Sequence, residues 1–229
     1  TARKVSWLCM WNGGVTWAMK LANSATHEAL KTEIYKEVLI YTCQYDNAQA
    51  LQLLLSAVTS DTLMSVMSTI TIGVEYHACI QRAAWHGINS FISIILQHFP
   101  SDSVLPLLLE QFEVNGGKTV LHIACEENEF NIVKTIIDLV PKENRFGLII
   151  ATDENENTVL HSAVESGDNR IIVALKMDQL TVEQQYALMM KENKDMLRAI
   201  DLAKKQKNKQ LEGFLNNLLQ ESSIRKCSE

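Results

Sequence analysis

The chain has 229 residues, 47% of them apolar, with three prolines and nine glycines; this supplies ample core and excludes disordered, collagenous and solvating-tail classes. Its net charge of −6 is uneven: residues 191–229 carry nine Lys/Arg against six Asp/Glu, or +3, leaving −9 on residues 1–190. Nonspecific nucleic-acid binding by that acidic body is disfavoured, because such binding neutralises phosphates with Lys and Arg.

Taken in order, the chain repeats one pattern: a small residue, a turn residue four positions later, and apolar residues four and eight positions beyond the turn. The small position reads Cys9, Thr42, Ala83, Ala124, Ala163 and Ala203; the turn position reads Gly13, Asp46, Gly87, Asn128, Gly167 and Lys207. The apolar pairs are Trp17/Leu21, Ala50/Leu54, Phe91/Ile95, Ile132/Ile136, Ile171/Leu175 and Leu211/Leu215, an i, i+4 spacing that marks one helix face. Each copy therefore predicts a helical hairpin, over roughly 1–23, 31–57, 74–99, 113–140, 152–177 and 193–219. Between hairpins, additional short helices are expected at about 61–70, 102–112, 142–150 and 181–191; Thr181 with Gln184 makes a capping-box pattern ahead of the last.

The ends differ in character. Val5, Trp7, Leu8, Met10, Trp11 and Trp17 crowd the start, and the first residue is Thr; more chain before Thr1, or a partner against this end, is the expectation. Lys204, Lys205, Gln206, Lys207, Lys209 and Gln210 make the last unit polar, as suits a capping repeat that faces water.

The register rests on two near-identical stretches, Thr119-Val120-Leu121-His122-Ile123-Ala124 and Thr158-Val159-Leu160-His161-Ser162-Ala163. They resemble the Thr-Pro-Leu-His motif that opens the ankyrin repeat, with Val in place of Pro; the copies are spaced by 33, 41, 41, 39 and 40 residues against the usual period of about 33. The resemblance implies an all-α fold, an ankyrin-repeat solenoid of about six helical hairpins over residues 1–229, several units lengthened by an extra short helix. It also implies that His122 and His161 tie neighbouring hairpin loops together through a ring hydrogen bond. Lengthened, degenerate units look like those of secreted ankyrin effectors of intracellular bacteria, which would make this the host-targeting part of a longer protein.

Little in the chain invites chemistry. Cys9, Cys43, Cys79, Cys125 and Cys227 form no CxxC pair, which points to neither a zinc site nor a disulfide framework and suits a reducing, cytoplasmic compartment. No apolar run approaches the roughly 20 residues that span a bilayer. Cys125 lies three residues from His122, close enough on a helix to suggest a nucleophile pair, but Cys43 and Cys125 share a repeat position that reads as core. Asp153-Glu154-Asn155-Glu156 lacks the glycine and final Glu of a calcium loop. No metal, no cofactor and no enzymatic activity are expected.

In ankyrin proteins the two residues just before the turn are free to vary on the concave side. Here they read Trp11/Asn12, Gln44/Tyr45, Trp85/His86, Glu126/Glu127, Glu165/Ser166 and Lys205/Gln206: aromatic, then acidic, then basic. The candidate partner-binding residues are Trp11, Tyr45, Trp85, His86, Glu126, Glu127 and Glu165, since exposed aromatics suit a hot spot and an acidic stripe attracts a basic segment. The expected activity is non-catalytic protein–protein interaction on the concave face and hairpin tips. The partner would carry an apolar anchor and a basic segment, and the chain itself would be monomeric. Two alternatives stay open: a substrate-presenting region of an enzyme whose catalytic domain lies elsewhere, and a spacer docking on its own upstream domain.

Overall fold

A computed structural model describes residues 14–25, 28–69, 79–111 and 113–226. Among them are fifteen α-helices and no β-strand, so the fold is all-α. The chain divides into two compact units, Thr1–Phe99 and Pro100–Glu229. The first contains α1 (Gly14–Ser24), α2 (Glu28–Gln44), α3 (Ala48–Ala57), α4 (Ser60–Thr69), α5 (Cys79–Trp85) and α6 (Asn89–His98). The second contains α7 (Ser101–Leu108), α8 (Val120–Glu126), α9 (Phe130–Leu139), α10 (Lys142–Ile150), α11 (Val159–Glu165), α12 (Asn169–Ala174), α13 (Val182–Met190), α14 (Ala199–Lys205) and α15 (Lys209–Lys226), with short 3₁₀ turns at Glu113–Asn115 and Met177–Gln179.

The hairpins α2–α3, α5–α6, α8–α9, α11–α12 and α14–α15 each turn at the residue the repeat pattern marks. Asp46, Gly87, Asn128, Gly167 and Lys207 all have positive φ, between 48° and 75°. In four of the five, the next amide donates back to the carbonyl of the small residue: Asn47 to Thr42, Ile88 to Ala83, Glu129 to Ala124 and Asn208 to Ala203, at 2.8–3.1 Å. This left-handed closure is how a helix satisfies its last carbonyls before the chain reverses. The small side chain is required because the hairpin closes tightly over it: Thr42, Ala83, Ala124, Ala163 and Ala203 are all buried.

Within each unit, like helices pack on like. In the first unit α2 lies against α5 and α3 against α6; in the second α8 against α11, α11 against α14, and α9 against α12. The second helix of each hairpin buries its i, i+4 pair, from Ala50 and Leu54 through Leu211 and Leu215. α4, α7, α10 and α13 lie between hairpins, and α10 packs on α7, α11 and α13. Such layering makes each hairpin depend on its neighbours for core. α1 departs from the expected register. It buries Val15, Ala18, Met19 and Ala22, an i, i+3, i+4, i+7 stripe, and leaves Trp17 48% exposed. The stripe wins because four small or flexible side chains on one face bury together, whereas Trp17 lies off that face.

Candidate binding surface

Each first helix of a hairpin ends on the first residue of a variable pair: α2 at Gln44, α5 at Trp85, α8 at Glu126, α11 at Glu165 and α14 at Lys205. The helix is buried through the small residue and, in four of the five hairpins, through the residue after it (Cys43, Ala84, Cys125 and Val164); the next two positions come to the surface before the turn. These positions are thus presented by rigid backbone. Trp11, the remaining candidate, lies outside the described residues.

In the first unit, Tyr45 and Trp85 occupy adjacent layers and are 52% and 47% exposed. Neither is core. Tyr45 packs at a tilt on Tyr41, with ring centroids 4.9 Å apart, which holds the ring in place while leaving the other face free of that contact. His86 is exposed. Between the two turns lies a cleft of about 560 Å³ lined by Gln44, Tyr45, Asp46, Arg82, His86 and Ile88.

In the second unit, the acidic candidates are more constrained than their composition suggests. Glu126 takes a 2.6 Å ion pair from Lys118 and a 3.1 Å hydrogen bond from the Ser162 hydroxyl. Partial loss of solvent around its carboxyl, then the neighbouring charge of Glu126, raises Glu165 above its ordinary range although the residue as a whole is exposed. Glu127 and Glu165 are exposed, and Lys205 follows in the next layer. The surface is therefore acidic at Glu127 and Glu165 and largely compensated at Glu126.

His122 and His161 do the structural work the resemblance implies. Each Nδ1 sits 2.8 Å from a Thr hydroxyl, of Thr119 or Thr158, and accepts the same Thr's backbone N–H at 3.3 or 3.1 Å. Each Nε2 lies 3.0 Å from a carbonyl of the next hairpin loop, Asn157 O or Leu197 O. A backbone N–H can only donate and a carbonyl can only accept, so the ring is the neutral tautomer protonated on Nε2. A second proton would sit on Nδ1 facing a donor. Burial lowers both pKa values in the same direction. In the last hairpin the pair becomes Arg198 and Asp201, joined by a 2.8 Å ion pair.

Cys125 is fully buried and its thiol pKa is pushed far up by burial, while both nitrogens of His122 are engaged elsewhere. No thiolate–imidazole pair exists there. The Asp153 carboxylate is consumed within its own loop, accepting the amides of Asn155 and Asn157 at 2.8 Å. Among the described residues no His/Cys/Asp/Glu group is arranged to hold a metal, and no helix is long and apolar enough to cross a membrane.

Two contributors escape the two-position rule applied to the sequence. Arg82 and Lys118 lie before the small residue rather than after it, so neither stands out by repeat position. A charge at the residue just ahead of Ala83, on an otherwise uncharged helix, was the one available signal for Arg82.

Residues 80–186 match the family model for ankyrin repeats, three copies. Comparison with curated proteins finds no match. Helical hairpins closed by left-handed turns, histidine-to-loop hydrogen bonds in successive layers, and the matched stretch agree: residues 80–186 carry three ankyrin-like repeats.

Proposed function

We propose that this chain is a non-catalytic recognition module that binds a protein partner through the ends of its first helices and the adjoining hairpin tips. Ankyrin repeats are generally protein–protein interaction modules. The observation that carries the reading is the pair Tyr45 and Trp85: two large aromatics at equivalent positions of neighbouring layers, half-exposed on rigid helix ends. Aromatic anchors of this kind give large contact area at small entropy loss. Exposed Glu127 and Glu165 in the second unit suit a basic stretch of the partner. Free, buried Cys43, Cys79 and Cys125 fit a reducing cytoplasm. The lengthened, degenerate units are what supports a host-directed role as part of a secreted bacterial effector.

Affinity capture from a eukaryotic lysate, followed by binding measurements on the recovered partner, tests this. Trp85→Ala should weaken binding at least tenfold and Glu165→Lys more modestly, with helical content unchanged. Unaltered affinity in both variants would place binding elsewhere.

A further inference from the structure

The cleft between the α2 and α5 turns contains a cation, Arg82, that makes no ion pair among the described residues. Arg82 leaves α5 one residue before buried Ala83 and forms part of the cleft wall. Its Nε is buried with no hydrogen-bond partner, and among the described residues no carboxylate reaches it within ion-pair distance. The carboxylate in the same wall, Asp46, is held by the Ser90 hydroxyl on α6. The thiols of Cys43 and Cys79 lie near the guanidinium as well, and burial keeps these neutral: Cys43 is pushed up to about 12 and Cys79 is raised well above its ordinary value. No thiolate is present to offset the guanidinium.

An uncompensated, partly buried cation is a standing cost, and a partner carboxylate removes it with short, charge-assisted hydrogen bonds. We propose that this cleft receives an Asp or Glu side chain from a linear protein segment, with a neighbouring apolar residue of that segment resting on Tyr45. The inference depends on the recognition reading above and narrows it to a ligand chemistry. A single carboxylate fits better than a phosphate dianion because Asp46 stands in the same wall and would repel a second negative charge. The guanidinium fork also matches a planar carboxylate.

The test is selection of a phage-displayed random dodecapeptide library on the 229-residue chain, followed by fluorescence anisotropy with the enriched peptides. Enriched peptides should share an Asp or Glu within three residues of Leu, Ile, Phe or Trp. Changing that acid to its amide should weaken binding at least tenfold, Arg82→Gln should do the same, and the two together should add little. Arg82→Glu should regain affinity for a peptide with Lys at the acidic position, which a merely structural role for Arg82 would not produce. If Arg82→Gln loses helical signal, Arg82→Lys replaces it and should weaken the acidic peptide while sparing its amide form.

Peptides that lose affinity with Tyr45→Ala and Trp85→Ala but not with Arg82→Gln would overturn acid recognition while leaving the module reading intact. Peptides indifferent to all three variants, or no enrichment, would overturn both. A phosphoserine in place of the acid that binds more than tenfold tighter would overturn the choice of carboxylate.

Discussion

Glu156 and Met196 hold the left-handed conformation, at φ of 60° and 58°, at loop positions equivalent to Gly117 at 67°. Side chains with a Cβ are strained there by roughly 1–2 kcal/mol, while glycine brings about 0.5–1 kcal/mol of extra unfolded-state entropy. Met196 is 76% exposed and contributes little packing. Met196→Gly should therefore stabilise the chain by up to about 1 kcal/mol, read as a higher urea midpoint. Gly117→Ala should do the opposite. A Cβ there would lie 3.0 Å from Glu154 Cγ and 3.2 Å from the Glu154 amide nitrogen, in the loop whose amide donates to Gly116 O at 2.9 Å. Glycine at this tip is dictated by the next loop, which one repeat alone does not reveal.

Among the elements, the short helices between hairpins start in different ways. α13 opens on a reciprocal box: Thr181 Oγ1 accepts the Gln184 amide at 3.3 Å, and Gln184 Oε1 accepts the Thr181 amide at 3.0 Å. α7 and α10 instead follow Pro100 and Pro141, neither offering a side-chain cap. Thr181→Ala should cost about 1 kcal/mol, and because Thr181 is exposed, little else changes. Thermal unfolding by far-UV dichroism would measure it; an unchanged midpoint would mean that packing on α15 alone holds α13. The box was legible because both partners lie within four residues of sequence. α1 shows the limit of such local reading: its apolar face could be drawn through Trp17 or through Val15, Ala18, Met19 and Ala22, and the choice depends on α2 and α3 packed against it.

At the scale of the whole molecule, stability accrues within each unit from hairpins resting on one another, and the two histidines fasten such contacts in the second unit. Both rings have folded-state pKa values below the ordinary 6.5. Below that pH the unfolded chain binds more protons than the native one, so the contribution of the neutral rings is complete above about pH 6.5 and is lost as pH falls through the lowered native values. Burial raises Glu37, Glu110 and Glu165, which acts in the opposite sense towards the carboxylate range. The urea midpoint should thus fall between pH 7 and pH 5.5. A His122→Gln/His161→Gln double variant should be less stable at pH 7 yet show a flatter profile over that interval. An equal slope in both proteins would remove the histidines as its source.

By itself the sequence determined the helical class and the turn residues, because these follow from periodic burial, while the role of the two histidines followed from the resemblance of their motifs to the ankyrin repeat. Asp46, Gly87, Asn128, Gly167 and Lys207 could be placed by spacing alone, since a hairpin of fixed helix length must reverse where the small residue is covered. Tertiary structure alone decided what the variable positions present. Glu126 is offset by Lys118, eight residues away, and by Ser162, thirty-six residues away. Arg82 becomes conspicuous only because Asp46, which lines the same cleft, is engaged by Ser90 and the neighbouring thiols are neutral. Charge is written in the sequence, but compensation depends on which side chains the stacked layers bring within a few ångströms.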